Sequence, residues 1–348
     1  MSDIPPSVQS AYGVDGRARV DAVPVGWINQ TYVVERDGER AILQRLHPVF
    51  GAEVHHDIEA VTRHLASKGL LTPRLRPTRD GRLWVEAEDG GVWRSFTFIE
   101  GRTVDRLDDA AHARAAGAAA ARFHRALADL DHAFRFRRPG AHDTHLYLTK
   151  LEEALDAYPE HPRRGEARAA AEAVLRAGQA VEVARGLPER VVHGDLKATN
   201  LRFDRSDPPA VRAVIDLDTL AHGELQAERG DALRSWCNPG REAGRGAGFG
   251  EPLFAAAVEG YASVAAGWIE PEERAAIVAG VIRIATELAA RFALDVFEDR
   301  YFGFDRSRYA SRMEHNLARV RGQLRLASSV RMQRARLEAR VRQAFRRR

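Results

Sequence analysis

The chain has 348 residues, of which 45% are hydrophobic and 29% charged, an ordinary composition for a globular protein with one large core or two lobes. No apolar run reaches the roughly 18 residues that a membrane-spanning helix needs, and the N-terminus has neither the basic nor the apolar part of a signal peptide. These features predict no membrane association. Because Cys237 is the one cysteine, no intrachain disulfide can form, which favours the reducing cytoplasm.

The net charge of +4 hides an uneven distribution along the chain. Residues 319–348 contain eleven Arg and one Glu, a net charge of +10, so the rest of the chain carries −6. Apolar residues recur at helical spacing in this segment, which predicts a helix that docks on the domain and ends in solvated arginines. The alternative is contact with a polyanion such as nucleic acid, but no nucleic-acid-binding module accompanies the segment.

The first third of the chain has the pattern of strands. Residues 1–16 are polar and marked by Pro and Gly, which predicts a loose start. From Val20 the pattern alternates, with turns predicted at Val25–Gly26 and Asp37–Gly38, and Asp-Gly between such runs is a strong hairpin signal. A helix around Val54 and two further strands follow, so a small antiparallel sheet with one inserted helix is predicted for an N-terminal lobe.

This N-terminal lobe is assigned to residues 1–100 and is followed by a connection at Ile99–Gly101. The composition then turns rich in Ala, Leu and Arg, and helical patterns continue to the end of the chain. Short strands interrupt them near 190–192, 201–203 and 211–215. The sequence therefore predicts an α+β architecture, with a helical C-lobe over residues 101–318 and an Arg-rich helix or tail over 319–348.

The stretch 191–200, VVHGDLKATN, carries the side chains that phosphoryl transfer from ATP requires. Asp195 is the candidate base for the attacking hydroxyl, and Asn200 with Asp216 are candidate Mg²⁺ ligands, since this ion prefers hard oxygen donors. Lys197 can reach the γ-phosphate and neutralise charge that develops in the transition state. The spacing His-x-Asp-x-x-x-x-Asn followed by Asp is that of the protein-kinase signature.

Two neighbours of these residues leave alternatives open. Asp218, two positions after Asp216, either completes a metal shell or hydrogen-bonds the loop. We include it among the predicted metal ligands. His193 is expected to brace the loop through hydrogen bonds rather than to act as a base.

The residues that would hold the nucleotide carry a weaker signal. Gly26 and Asn29 lie at a predicted turn whose backbone N–H groups can cover phosphates. The third strand usually carries a lysine for the phosphates, but here it offers Gln44 or Arg45, whose side chains alternate to opposite faces. Glu59 on the predicted helix is the candidate partner of that cation.

The adenine ring is expected between the lobes, where backbone groups at Thr97 and Ile99 would bond it. If Gln44 is the residue that faces the cleft, no strand ion pair forms and ATP must be held in another way. Pattern alone does not choose between Gln44 and Arg45.

HGDLKATN and VIDLDT resemble the catalytic and metal-binding segments of the aminoglycoside phosphotransferase and choline kinase group. A narrower resemblance covers almost the whole chain, because GWINQTYVV, AILQRLHPVF, SFTFIEG, RGDALRSW and HNLARVRGQLRL follow the order found in N-acetylhexosamine 1-kinases. It implies a bilobal protein-kinase-like fold, ATP and Mg²⁺ as cofactors, Asp195 as catalytic base and Asp231 as a structural residue. It also implies that the missing strand lysine does not mark an inactive enzyme.

Departures from this family concern the acceptor. Leu196 stands where the family commonly has Thr, and the stretch between Asp216 and Asp231 differs. A change in the wall of the acceptor pocket can change which sugar the enzyme accepts. The acceptor contacts that we predict are polar residues of the C-lobe: Asp143, His145, His222, Arg229 and Tyr301.

The sequence thus predicts an ATP- and Mg²⁺-dependent kinase whose acceptor is a small-molecule hydroxyl, that of an (N-acetyl)hexosamine or a related sugar. One alternative is an aminoglycoside or amino-alcohol kinase, which the charge of −6 outside the tail permits. Another is a nucleotide-binding pseudokinase, against which the intact Asp195, Asn200 and Asp216 argue. The acceptor, the phosphorylated position and the oligomeric state stay open.

Overall fold

The computed structural model describes residues 3–23, 28–159, 164–240, 242–243, 246 and 248–346. Its small lobe contains the strands β1 Arg19–Ala22, β2 Gln30–Arg36, β3 Glu39–Arg45, β4 Leu75–Arg76, β5 Val85–Glu86 and β6 Val92–Thr97. They form one antiparallel sheet in the order β1-β2-β3-β6-β4, and β5 also pairs with β6. A mainly helical lobe follows, so the predicted α+β bilobal fold is confirmed.

The hairpin between β2 and β3 turns at Asp37 and Gly38. Both residues have positive φ, 52° and 82°, which matches the right-handed twist of the flanking strands. The register pairs Gln30 with Arg45 and Arg36 with Glu39. The hairpin prediction is confirmed, whereas the predicted turn at residues 25–26 lies outside the described part of the chain.

The start of the chain is ordered against the sheet, so the predicted loose start over residues 1–16 is wrong for the described part. Helix α1 (Pro6–Tyr12) buries Val8, and Ile4 just before it is 3% exposed. Both belong to an apolar cluster with Leu43 of the sheet. Among the described residues these scattered apolar side chains pack against the sheet, a partner distant in sequence, which is why the local pattern did not reveal the helix.

The inserted helix α2 (Val54–Ser67) is also confirmed, and the chain passes to the large lobe after β6. Arg102 and Phe203 exchange two backbone hydrogen bonds of 2.8 Å, which fasten the connection to the large lobe. Gly101 has φ of 136°, and a Cβ there would lie 2.4 Å from the Phe203 carbonyl oxygen. Glycine is therefore required for this close approach.

The described part of the large lobe consists of helices around a buried central helix and of two pairs of short strands. Its helices are α3 Ala110–Ala126, α4 Thr144–Ala157, α5 Arg164–Gly178, α6 Leu225–Trp236, α7 Glu251–Ala265, α8 Pro271–Ala275, α9 Ile277–Glu298 and α10 Arg312–Arg346. Its strands are β7 Glu189–Val192, β8 Leu201–Phe203, β9 Val211–Val214 and β10 Ala221–Glu224. None of the helices that can be described is long and apolar enough to cross a membrane.

Helix α10 runs without a break from the predicted C-lobe into the segment for which an Arg-rich helix or tail was predicted. Leu337 and Phe345 are 0% and 8% exposed and belong to the main apolar cluster of the large lobe. Arg336 and Arg340 both bond the Glu251 carboxylate at the start of α7. The Arg-rich segment therefore packs on the domain through its apolar stripe, and part of its charge is compensated there.

Candidate active site

The stretch 191–200 connects the two strand pairs of the large lobe. It leaves β7, which pairs with β10, and enters β8, which pairs with β9, through a 3₁₀ turn at Ala198–Asn200. Gly194 has φ of 79°, and a Cβ there would lie 2.5 Å from the Thr219 carbonyl oxygen. His193 braces the loop as predicted, with its Nε2 2.9 Å from the Ile215 carbonyl oxygen.

Asp195, Lys197 and Asn200 converge within this loop. Lys197 Nζ donates to Asp195 Oδ2 at 2.6 Å, and Asn200 Nδ2 donates to the Asp195 carbonyl oxygen at 2.8 Å. Burial by itself would raise the pKa of Asp195, but the Lys197 ammonium outweighs this and lowers the pKa to about 2. Asp195 is therefore an anion at neutral pH, and its side chain remains 28% exposed to accept a proton donor.

Asp216 lies at the turn after β9 with φ of 66°, in the left-handed region. Although its side chain is exposed, desolvation by the surrounding protein and the neighbouring Asp218 carboxylate raise the pKa of Asp216. Among the residues that the structure describes, none donates a hydrogen bond to the Asp216 carboxylate. An exposed carboxylate that accepts no hydrogen bond from the described residues, at the turn after the strand pair that follows Asn200, fits a cation.

The described residues contain no group of three His, Cys, Asp or Glu side chains that could hold a metal by themselves. A magnesium ion that serves phosphoryl transfer needs only one or two protein oxygens, because phosphate oxygens and water complete its shell. The Asp216 carboxylate and the Asn200 amide oxygen meet that smaller requirement.

Asp218 differs from Asp216, because it is committed to a buried contact between the lobes. Arg94 Nη2 and Asn29 Nδ2 both donate to Asp218 Oδ2 at 2.7 Å. Arg94 Nη1 lies 2.6 Å from Asp218 Oδ1, although off the line of a hydrogen bond, and both side chains are 2% exposed. This geometry argues against the predicted metal role of Asp218 and matches its alternative role as a hydrogen-bonding anchor.

Gln44 is the residue of its strand that faces this contact. Its Oε1 accepts from Arg94 Nη2 at 2.9 Å, and its backbone pairs directly with that of Arg94 in the sheet. Arg45 points the other way, where it forms an exposed ion pair with Asp89 at 2.7 Å. The prediction of Arg45 as a nucleotide contact is therefore wrong, because strand alternation sends its side chain to the opposite face.

Glu59 does not hold a strand cation, so that prediction is also wrong. Its carboxylate lies 3.1 Å from Arg63 and 3.6 Å from Arg74, which keeps it away from Gln44. The residue of α2 that lies near Arg94 is His55, which is fully buried and stacks on Trp84. Burial and the nearby Arg94 charge lower the pKa of His55 to about 4, so its ring is neutral.

The predicted adenine contacts have partners within the chain. Thr97 N donates to the Arg74 carbonyl oxygen at 2.9 Å, and the Ile99 carbonyl oxygen accepts from Arg202 Nε at 3.0 Å. Both residues lie at the predicted connection between the lobes. Gly26 lies outside the described residues, and Asn29 anchors the described end of the same turn.

Sequence reasoning missed Arg94, although its signal is visible. The stretch VWRSFTFI reads as a buried strand in which one arginine is the single charged residue. A guanidinium in such a strand needs a buried anion, because an unpaired charge in the interior is costly. The anion, Asp218, is 124 positions away in the chain, so only the fold identifies it.

Sequence reasoning also missed Glu228 of α6, which holds the loop of Asp195 in place. Its two carboxylate oxygens accept from His193 N and Gly194 N, each at 2.9 Å, and His124 Nε2 lies 3.1 Å from Oε1. Burial would raise the pKa of Glu228, but the hydrogen bond from His124 and the neighbouring charges lower it to about 2. No local pattern marks this residue, since its partners come from other elements.

The variant Glu228→Gln should change how the free energy of unfolding depends on pH below neutrality. Because the pKa of Glu228 is lowered from 4.5 in the folded protein, its ionisation stabilises the fold above 4.5 and ceases to do so as the pH falls towards 2. The contribution at neutral pH is about 3 kcal/mol. Urea unfolding should therefore show a large deficit for the variant near pH 6 and a much smaller one near pH 3.

The matched control is Glu189→Gln, because Glu189 is exposed on the strand that leads into the same loop. It should unfold like the wild type at both pH values. A Glu228→Gln deficit that is equal at both would show that ionisation of Glu228 does not support the loop.

The predicted acceptor contacts do not form one group. Asp143 caps α4 by accepting from Leu146 N at 2.9 Å, and His145 on α4 is exposed. His222 Nε2 lies 3.2 Å from the His132 carbonyl oxygen. The other two predicted contacts, Arg229 and Tyr301, differ in their exposure to solvent.

Arg229 is buried and bonds the backbone carbonyls of Leu225 and Glu273. An acceptor cannot reach it there, so its prediction as an acceptor contact is wrong. Tyr301, by contrast, is 45% exposed, and its hydroxyl accepts from Arg138. Tyr301 is thus the predicted acceptor contact that lies in an accessible cationic surrounding.

Comparison with known proteins agrees with this arrangement. A model of the phosphotransferase enzyme family, APH, matches residues 19–266 of the chain. A homoserine kinase from Sinorhizobium medicae (strain WSM419) is 27% identical over 238 residues, an alignment that spans 66% of this chain and 66% of that relative.

Solved structures share the fold at low identity. A microcompartment-associated aminopropanol kinase has a TM-score of 0.63 at 18% identity, over 96% of this chain and 98% of that chain. An amicoumacin kinase in complex with AMP-PNP and Ca²⁺ has a TM-score of 0.61 at 14% identity, over 92% and 91%. Since the family model covers most of the chain, this protein belongs to the phosphotransferase enzyme family and transfers phosphoryl groups to a hydroxyl acceptor.

Proposed function

We propose that this phosphotransferase uses ATP and Mg²⁺ and phosphorylates the hydroxyl of a small molecule. The observation that carries the proposal is the convergence of Asp195, Lys197 and Asn200 in one loop, with Asp216, whose carboxylate accepts no hydrogen bond from the described residues, at the next turn. A base, a cation for the phosphoryl group and oxygen ligands for the metal are the parts that phosphoryl transfer needs.

Asp195 is ionised before the acceptor arrives, because Lys197 keeps its pKa low. Such a weak base does not remove a proton early. It accepts a hydrogen bond from the acceptor hydroxyl, which orients the oxygen towards the γ-phosphorus, and takes the proton as the new bond forms. The Lys197 ammonium would balance the charge on the transferred phosphoryl group.

Asn200 and Asp216 would hold the metal, which when bound neutralises phosphate charge. Arg94 acts through Asp218 rather than on ATP, since it is 1% exposed. It neutralises that carboxylate and ties β6 of the small lobe to the metal-binding turn of the large lobe. This buried ion pair, rather than a strand lysine, aligns the two lobes.

The identity of the acceptor is a separate part of the proposal. The sugar acceptor inferred from the resemblance to N-acetylhexosamine 1-kinases stays a prediction. The second candidate is an amino alcohol, which is supported by the names of the homoserine kinase and aminopropanol kinase similar to this chain. A direct comparison of homoserine, 3-amino-1-propanol, N-acetylhexosamines and aminoglycosides separates these candidates.

The experiment measures ADP release and the phosphorylated product with each acceptor, in the presence of ATP and Mg²⁺. We expect turnover with at least one of these compounds and none without Mg²⁺. If AMP-PNP binds but no acceptor on the panel is phosphorylated, the catalytic proposal fails and the pseudokinase alternative gains support.

A further inference from the structure

Two arginines of the large lobe, Arg138 and Arg291, flank the ring of Tyr301. Arg138 lies in the segment before α4, and Arg291 lies on α9. Their guanidinium carbons are 5.7 Å and 5.9 Å from the centre of the same ring, that of Tyr301. Arg291 is held further by the rings of Tyr147 and Phe302, at 5.2 Å and 5.6 Å.

Neither guanidinium has a carboxylate partner among the described residues. Other arginines of this lobe differ, since Arg190 pairs with Glu273 at 3.0 Å and Arg283 with Glu224 at 3.1 Å. Burial and the neighbouring Arg291 charge lower the pKa of Arg138. Two half-buried cations that form no ion pair with a described carboxylate make a site that is electrostatically incomplete.

The segment that carries Arg138 is fastened to the catalytic loop. His142 in this segment has its Nε2 3.1 Å from the Gly194 carbonyl oxygen, next to Asp195. Arg283 Nη2 donates to the His142 carbonyl oxygen at 2.9 Å, which fixes the segment from the α9 side. Arg138 also lies close enough to Asp195 for the carboxylate to act on its charge.

We propose that Arg138 and Arg291 bind an anionic group of the acceptor, a carboxylate or a phosphate, while its hydroxyl lies against Asp195. This inference rests on the proposed kinase function and narrows the acceptor to a hydroxyl compound that carries an oxyanion. Planar guanidinium groups match carboxylate and phosphate oxygens in pairs, and the flanking rings keep both groups oriented. A cationic group at the same place would be repelled, so an amine of the acceptor must lie elsewhere.

Acceptors that differ only in charge test the proposal. N-acetylmuramate is compared with N-acetylglucosamine, glucuronate and glucose 6-phosphate with glucose, and hydroxy amino acids with the amino alcohols that lack the carboxylate. We expect the anionic member to have a kcat/KM about 10- to 100-fold higher in at least one set, the range of charge-assisted hydrogen bonds. The glucuronate and glucose 6-phosphate arms separate a carboxylate from a phosphate as the bound group.

Variants show whether the two arginines cause the preference. Arg138→Met and Arg291→Met should each raise the KM of the anionic acceptor about 10-fold or more and lower the ratio of anionic to neutral turnover. Arg138→Lys keeps the charge but loses the paired geometry, so it should restore part of the preference. The control Arg137→Met removes an exposed arginine from the same segment and should leave the ratio unchanged.

Titration calorimetry of each anionic compound in the presence of AMP-PNP gives a readout that does not require turnover. Three results would overturn this inference. The first is a preference for the neutral or cationic member in every set, the second is an unchanged ratio of anionic to neutral turnover in Arg138→Met, and the third is no binding of any anionic compound. In the first two cases phosphorylation itself continues, so the proposed kinase function survives. Loss of that function would appear instead as nucleotide binding without any phosphorylated product.

Discussion

Asp195→Asn should lower kcat by about 10²- to 10⁴-fold, the contribution expected of a positioned general base. The amide keeps the size of the side chain but cannot take the proton of the acceptor hydroxyl. It also removes the negative charge that pairs with the Lys197 ammonium at 2.6 Å. Affinity for AMP-PNP with Mg²⁺ should change little, because the proposed metal ligands Asn200 and Asp216 remain.

Rapid-quench measurement of the chemical step, together with calorimetric titration of the nucleotide, separates these two effects. The control is Asp207→Asn, which alters an exposed aspartate in the turn after β8 and should preserve kcat. Retained activity in Asp195→Asn would remove this residue as the base. Loss of both activity and nucleotide binding would indicate that the loop had collapsed.

Arg94→Met should destabilise the protein by about 3–5 kcal/mol, the cost of leaving one member of a buried ion pair without its partner. The Asp218 carboxylate would keep its contact with Asn29 but lose both contacts with the guanidinium. Gln44 would lose the same partner. Urea unfolding at neutral pH measures the loss, and a higher KM for ATP should accompany it as the lobes lose their tie.

A double-mutant cycle tests whether the effect belongs to the pair. In Arg94→Met combined with Asp218→Asn, the buried charge is removed from both sides, so the double variant should be more stable than the sum of the single losses predicts. Arg45→Met is the control, because its exposed pair with Asp89 should contribute no more than about 1 kcal/mol. Additive losses in the cycle would show that Arg94 supports the lobe interface in some other way.

The residues that sequence reasoning placed together share one property, which is their closeness along the chain. Asp195, Lys197 and Asn200 belong to a single loop, and Asp216 follows after one short strand pair. Their spacing reflects the geometry of two adjacent turns, so it can be read without the fold. The role of each in catalysis stays a prediction that the Asp195→Asn measurement addresses first.

The predictions that failed depended on direction or on distant partners. Arg45 and Glu59 were chosen by analogy with a strand lysine and its helix partner, but each forms an ion pair on another surface. Arg229 lies in an apparently polar stretch, yet α6 buries it. Side-chain direction follows from how an element packs, and the pattern of a single element does not contain that information.

The sequence by itself determined the bilobal α+β fold, the hairpin at Asp37–Gly38 and the position of the loop that carries Asp195, because short-range spacing and turn chemistry decide them. The tertiary structure alone decided that Asp218 pairs with Arg94, that Glu228 holds the loop, and that Arg138 and Arg291 meet at the ring of Tyr301. Electrostatic free energy depends on distance in space and on burial, whereas sequence pattern records only distance along the chain.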